Sequence, residues 1–398
     1  MNRDDFPVLN GDIIYFDNGA TTLKPNCVVQ KMVDYYTKYT SNIHRGDYDN
    51  AMKTNEEYDN VRLVVKDFIN SSSKDEIVYT SGTTESLNMV AFGFFQKKLK
   101  PGDEVLINEA EHASNVLPWL VLQEKIGIVV KFVPLDSNHE LTVSNIEKSI
   151  TNKTKVISCA HISNVVGDVR DVEEIGKICQ KNNIYFVIDA AQSASHIPID
   201  VQKFNASFLA FSAHKMTGPT GVGVLYGKKE LLDEMDPLKY GGGMNQSFES
   251  DGSYVLKDSP IRFEAGTPPI AEVIGMGEAI KFVQKIGVHR IHEHEYGLKK
   301  YLIDELEKIP NIILYNPNSK SGIVTFNVSG VFSQDTSVYL NHFNIAIRAG
   351  NHCAKVLKNN LNIKNTCRVS LYLYNTKEEV DKLIDALKHS EDIFKVVI

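Results

Sequence analysis

Ile184-Tyr185-Phe186-Val187-Ile188-Asp189-Ala190-Ala191-Gln192 is an apolar run that ends on a carboxylate. Its apolar part has the length of a buried strand, and the acid stands where such a strand leaves the sheet. Outward from it, the stretch 76–226 alternates short apolar runs with longer amphipathic ones. Strands are expected at 77–79, 104–107, 128–133, 155–160, 184–189, 207–211 and 223–226, with helices at 84–98 and 172–181. Strands alternating with helices predict an α/β fold with a mostly parallel sheet covered on both faces. The run Gly241-Gly242-Gly243 and the polar stretch to 259 read as a long loop. Helical periodicity returns at 271–286 and 288–309, strands at 322–328, 345–347 and 367–371, and a last helix at 377–389. This C-terminal third reads as a smaller α+β unit, joined somewhere between 260 and 290.

The chain has 398 residues, 42% apolar and 23% charged, with a net charge of -7. That length suits a large domain with a smaller companion. The charge gives no reason to expect nucleic acid or an anionic membrane as partner. Cys27, Cys159, Cys179, Cys353 and Cys367 are odd in number and far apart, with no Cys-x-x-Cys pair. Neither a disulfide framework nor a metal site is indicated, and a reducing cytoplasm is the simplest setting. The polar start Met1-Asn2-Arg3-Asp4-Asp5 gives no secretory signal. The most apolar stretch, 116–130, is broken by Gln123, Glu124 and Lys125, so no membrane span is expected.

Four segments could carry chemistry. Ser212-Ala213-His214-Lys215 follows an apolar strand. A lysine there can form a Schiff base with an aldehyde cofactor, and Ser212 and His214 can donate to a phosphate. Alone, the segment is more simply a loop with an ordinary lysine. Asp189 closes its strand as a charge that needs a partner, because desolvating a lone carboxylate is costly. A protonated pyridine nitrogen is such a partner, and a turn-capping role is the alternative. Thr80-Ser81-Gly82-Thr83-Thr84-Glu85 joins a strand to a helix, where free N–H groups and threonine hydroxyls can take a phosphate or simply cap the helix. Glu109-Ala110-Glu111-His112 places a histidine beyond another strand, where it can stack on a ring and exchange protons. Together the four fall, in order, at the C-terminal ends of strands, where open α/β sheets bind ligands.

With these residues collected, the chain resembles the pyridoxal-phosphate-dependent class V aminotransferase family. Within it, the chain is similar to the cysteine desulfurases of the selenocysteine-lyase-like group that serve iron-sulfur assembly. The resemblance runs from Tyr15-Phe16-Asp17-Asn18 to Tyr374-Asn375-Thr376. It includes Ser212-Ala213-His214-Lys215, Gly218-Pro219-Thr220-Gly221, 262–268 and Arg348-Ala349-Gly350-Asn351-His352-Cys353-Ala354. It implies fold type I, with a seven-stranded large domain over 15–265 and a small α+β domain over 266–398 with 1–14. Lys215 would carry the cofactor and move protons. Asp189 would pair with the ring nitrogen, Gln192 would reach the ring hydroxyl and His112 would stack. Thr83, Thr84, Ser212 and His214 would bind the phosphate, with Thr267 from a second subunit. Arg368 would hold the substrate carboxylate, with Asn164, Arg348 and His44 nearby. Cys353 would take sulfur from L-cysteine as a persulfide, for an acceptor protein of the assembly system, in a homodimer. Its polar neighbours Asn351, His352 and Lys355 argue against a buried thiol. Departures from the group's usual pattern stand at Asp47-Tyr48-Asp49, Ser81, Gln334, Asn351 and Lys355-Val356. The alternatives are a selenocysteine lyase, another class V transaminase or lyase, and a scaffold without activity.

Overall fold

The structure, a computed structural model, describes residues 3–393; positions 1–2 and 394–398 of the expected small domain lie outside the described residues. The strands, in chain order, are β1 (Ile14–Tyr15), β2 (Ile77–Thr80), β3 (Glu104–Asn108), β4 (Val129–Val133), β5 (Thr154–Ala160), β6 (Tyr185–Asp189), β7 (Phe208–Ser212), β8 (Gly223–Gly227), β9 (Asn245–Phe248), β10 (Tyr254–Leu256), β11 (Ile312–Tyr315), β12 (Ile323–Val328), β13 (Ile345–Ala346), β14 (Arg348–Gly350) and β15 (Thr366–Ser370).

Seven of them form one sheet in the order β2-β8-β7-β6-β5-β3-β4. Only β8 runs against its neighbours; β3 to β7 pair in parallel. The expected α/β architecture is therefore present. Side chains alternate between two cores. Leu106, Ile157, Ile188 and Leu209 pack on one face, and Val105, Val156, Val187 and Phe208 on the other. Burial on both faces is what makes these strands read as continuous apolar runs. The helix Val172–Lys181 covers one face with Val172, Ile175, Ile178 and Cys179. Asp171 caps it, accepting the Glu174 N–H at 3.0 Å, and Lys181 sits in its last turn, where a cation suits the helix dipole. The expected helix at 84–98 is three consecutive pieces: Thr83–Asn88, a π-helical stretch Met89–Phe95, and Gln96–Lys98.

The C-terminal unit is a four-stranded antiparallel sheet, β11-β12-β15-β14, with β1 paired to β13 beside it. Its core joins Ile14 and Phe16 to Phe326, Val369, Leu383 and Leu387. The helix Ile270–Ile286 differs from the expected division at 265. Its Ile270, Ile274, Met276 and Ile280 belong to the core under the large sheet, because it packs on the helices Asn26–Lys38 and Asp49–Phe68. Those two N-terminal helices were not expected. The long loop expected over 241–259 contains the hairpin β9–β10, turned at Gly252 with φ of +88°.

The sheet edge that matters is where Thr80, Gly223 and Ser212 lie side by side. Gly82 there has φ of +146°, a conformation that favours glycine. A Cβ on Gly223 would lie 2.6 Å from Gly82 Cα, so the strand approaches the loop closely only because position 223 has no side chain.

Candidate active site

Thr80, Asn108, Asp189 and Ser212 end their strands on one edge of the large sheet. Beyond that edge lies a cavity of ≈ 270 Å³, closed on the other side by the small unit. The cavity is lined by Thr83, Thr84, His112, Asn164, Asp189, Gln192, Ser212, His214, Lys215, Arg348, Cys353 and Arg368. It brings together all but two of the expected site residues. Thr267 and His44 are exposed and outside it. Thr267 Oγ1 accepts from Asn42 Nδ2 at 3.1 Å, and the His44 N–H donates to Asn55 Oδ1 at 2.7 Å. Gly19, Ala20, Ser114, Ile162 and His352 also line the cavity and were not foreseen. Ser114 was within reach of a sequence argument, since it sits two positions after His112.

Asp189 is buried, and its carboxylate takes one hydrogen bond among the described residues, from the Ala191 N–H at 2.9 Å. Burial raises its pKa, against the pull of that N–H, Lys215 and Arg170. Burial lowers Lys215 to about 8, with Asp189 opposing and Arg368 adding to the fall. The two groups need each other, or a cofactor, to stay charged. His112 is lowered to about 4 by burial and then by Lys215. Its Nδ1 accepts the Ser114 N–H at 3.1 Å, so the neutral ring carries its proton on Nε2. His214 is also lowered to about 4, by burial, Lys215 and Lys24. Ser212 Oγ accepts the Thr83 N–H at 2.8 Å and lies 2.8 Å from Thr83 Oγ1, while Thr84 Oγ1 lies 2.8 Å from Ser114 Oγ. Gln192 Nε2 donates to Gly19 O at 2.8 Å.

A buried ion network supports this floor. Arg170 Nη1 donates to Glu111 Oε1 at 2.6 Å and to Ala160 O at 2.7 Å, and Nη2 donates to Asn108 Oδ1 at 3.0 Å. Glu111 precedes His112, and Ala160 pairs with Asp189, so one guanidinium fixes two walls of the site. Such a pair contributes mainly through the cost of losing one partner, about 3–5 kcal/mol.

From the small unit, Arg368 donates through Nη1 to Asn164 O at 2.9 Å and through Nη2 to Asp17 Oδ1 at 3.1 Å. Its Nε is buried and has no hydrogen-bond partner among the described residues. An unmet guanidinium donor in a cavity calls for an anionic ligand. Arg348 is half exposed, 3.9 Å from Asp17 Oδ2. Cys353 is exposed, and it and His352 both have left-handed φ, +56° and +51°. Such residues cost about 1–3 kcal/mol each unless their surroundings hold them. Here Cys353 O accepts the Ala113 N–H at 2.8 Å, His352 O accepts from Asn164 Nδ2 at 2.7 Å, and the Cys353 N–H donates to Asn351 Oδ1 at 3.0 Å.

A flat aldehyde bearing a ring nitrogen and a phosphate matches this donor set. The lysine amine, the buried carboxylate, the neutral histidine and the hydroxyls at the start of a helix each have a complement on it. The aminotransferase class-V family model matches residues 14–383. The chain belongs to the aminotransferase class-V family. It is 40% identical over 396 residues to a probable cysteine desulfurase of Halalkalibacterium halodurans, covering 98% of this chain and 97% of that one. The apo cysteine desulfurase of Thermococcus onnurineus NA1 superposes with a TM-score of 0.94 at 39% identity, over 97% of this chain and 96% of the other. The cysteine desulfurase CsdA of Escherichia coli gives 0.92 at 35% identity, over 98% and 97%. Pyridoxal phosphate is the cofactor of this family member.

The histidines set a pH limit. Burial lowers His161 to about 3 and, helped by Arg368, His352 to about 2; His112 and His214 stand at about 4, all against an ordinary 6.5. The unfolded chain then binds protons that the folded protein refuses, so stability is lost as pH falls from 6.5 toward 4. The urea midpoint of the protein is expected to drop across that window. A midpoint constant between those values would contradict these assignments.

Proposed function

We infer that this chain is a pyridoxal-phosphate-dependent cysteine desulfurase, releasing L-alanine from L-cysteine and carrying the sulfur on Cys353. The observation that carries this reading is an exposed thiol, held in a left-handed turn, on the rim of the cavity that holds Lys215 and Arg368. A transaminase has no use for such a thiol, and an inactive scaffold has none for the perturbed lysine–carboxylate pair.

Pyridoxal phosphate supplies an electron sink at the substrate carbons. Arg368 takes the substrate carboxylate through its unmet Nε–H, with Asn164 and Asp17 fixing the guanidinium and Arg348 adding charge at the rim. Lys215 anchors the cofactor and, once released as an amine, moves protons between substrate carbons; its lowered pKa makes the neutral form accessible near pH 8. Asp189 would keep the ring nitrogen protonated, Gln192 would reach the ring oxygen and neutral His112 would pack on the ring. Thr83, Thr84, Ser212 and His214 bind the phosphate. Cys353, as thiolate, attacks the substrate sulfur. The sulfur–sulfur bond forms as the carbon–sulfur bond breaks, its electron pair returns to the substrate carbon, and a proton from Lys215 completes alanine.

Thr267 serves the phosphate of a second copy, and His44 the substrate of one. Both are exposed, and their neighbours Gly266 and Arg45 meet Gly242, just ahead of the hairpin β9–β10, whose Phe248 and Tyr254 are 73% and 61% exposed. Large apolar side chains gathered on one face suit a homodimer interface. The persulfide passes to an acceptor protein for iron-sulfur assembly in the cytoplasm, a setting that suits an exposed reduced thiol. L-selenocysteine fits the same site.

Borohydride treatment is expected to fix the cofactor on Lys215 in the parent, and Lys215→Ala to bind it only loosely. Cys353→Ser should keep the cofactor and bind cysteine with at least about a hundredfold loss of desulfuration, since an alcohol is a far weaker nucleophile. Undiminished turnover of Cys353→Ser would refute the assignment. Sedimentation should show a dimer, with Thr267→Ala weakening cofactor retention; a fully active monomer would overturn that part.

A further inference from the structure

The helix Lys355–Asn360 leaves the Cys353 turn directly, and one of its lysines points inward. Lys358 is 2% exposed. Its Nζ donates to Thr366 Oγ1 at 2.6 Å, and among the described residues no carboxylate pairs with it. A buried ammonium with one partner leaves two donors unmet, which is costly beside an apolar residue of the same length. The same threonine holds His352, whose Nε2 lies 3.1 Å from Thr366 O and 3.0 Å from Thr366 Oγ1. A carbonyl only accepts, so Nε2 carries the proton, and the buried Nδ1 has no partner among the described residues. His352 is thus held through Thr366 alone on its ring side and through Asn164 on its backbone. A continuous chain of contacts runs from Lys358 through Thr366 and His352 to the backbone of Cys353.

We propose that Lys358 is a positioning residue for sulfur transfer: by holding Thr366 it fixes His352 and the left-handed turn that presents Cys353. The proposal rests on the reading of Cys353 as the sulfur carrier. The charged and titratable groups facing Lys358 are Arg368 and Cys367 on β15, with His352 across Thr366. Burial, then Arg368, lowers Lys358 to about 7, and Cys367 opposes. Above that pH the amine is neutral and its single bond suffices. Below it, the extra proton brings donors that the pocket cannot satisfy, and the turn slackens. The cost of burying the charge is borne in full below pH 7 and is relieved as pH rises toward the ordinary lysine value of 10.5.

The test uses the holoenzyme and two readouts: kcat and KM for alanine release from cysteine, and the rate at which iodoacetamide alkylates Cys353, located by peptide mass, at pH values on both sides of about 7. Lys358→Met is expected to lower kcat about tenfold with KM and cofactor absorbance unchanged, and to lack the step in alkylation rate near pH 7 that is expected in the parent on top of the smooth rise from thiol ionisation. A variant with the parent's kcat, or with a lowered kcat but the parent's alkylation profile, overturns the proposal. If Lys358→Met does not fold, Lys358→Arg decides, since a permanent cation cannot show the step; the parent's profile in that variant overturns it equally. Undiminished turnover in Cys353→Ser would remove the functional reading instead, and the alkylation profile would still report on Lys358.

Discussion

Everything in the site depends on two groups of opposite charge buried in one cavity. Asp189 closes a strand that is apolar along its length, and Lys215 follows the neighbouring strand. Burial pushes the acid up and the amine down to about 8, and each group's charge opposes the other's shift. A protein core does not tolerate such a pair for stability alone, since apolar residues of similar volume serve as well or better. In the proposed function both groups would find partners, a ring nitrogen for the acid and an aldehyde for the amine. The fold serves this arrangement: adjacent parallel strands put both residues on one edge, and the Arg170–Glu111 pair stiffens the floor beneath them.

The second requirement is a seam between units. The large sheet brings Asp189, Ser212 and Lys215 to the cavity, and the antiparallel sheet and the turn beside it bring Arg368 and Cys353. The seam is stitched by polar contacts to backbone: Asn164 to His352, Ala113 to Cys353, and Ser321 Oγ to Gly167 O at 2.8 Å. Beside them, Ala110, Val165 and Val166 pack with Ala354 and Leu357 in a small buried apolar cluster. In the proposed function these contacts would suit a loop that presents a thiol at the rim of the cavity.

Asp189, Lys215, His112 and the Thr83–Thr84 segment were legible because each terminates an apolar strand, and strand ends in parallel sheets share an edge. Cys353, Arg368 and Arg348 were legible only through family resemblance, since their strands belong to a separate antiparallel sheet. Arg170 was not legible as the partner of Glu111, because distant polar residues meet only after folding. The helix Asp49–Phe68 was hidden by its many charges, and the hairpin β9–β10 by glycines and polar residues that resemble a loop. Thr267 lies outside the cavity of its own chain, in keeping with the second-subunit role that the resemblance implies, whereas His44 was expected near the substrate and lies outside it too.

The most direct measurement is a single-turnover experiment with L-cysteine in the absence of reductant and acceptor. Alanine released per cofactor is counted, and the added sulfur is located by peptide mass spectrometry. The expected result is one alanine per site, with one extra sulfur on the peptide carrying Cys353. Alanine formed with the sulfur on Cys367 or Cys159, or released as free sulfide with Cys353 unmodified, would contradict the account.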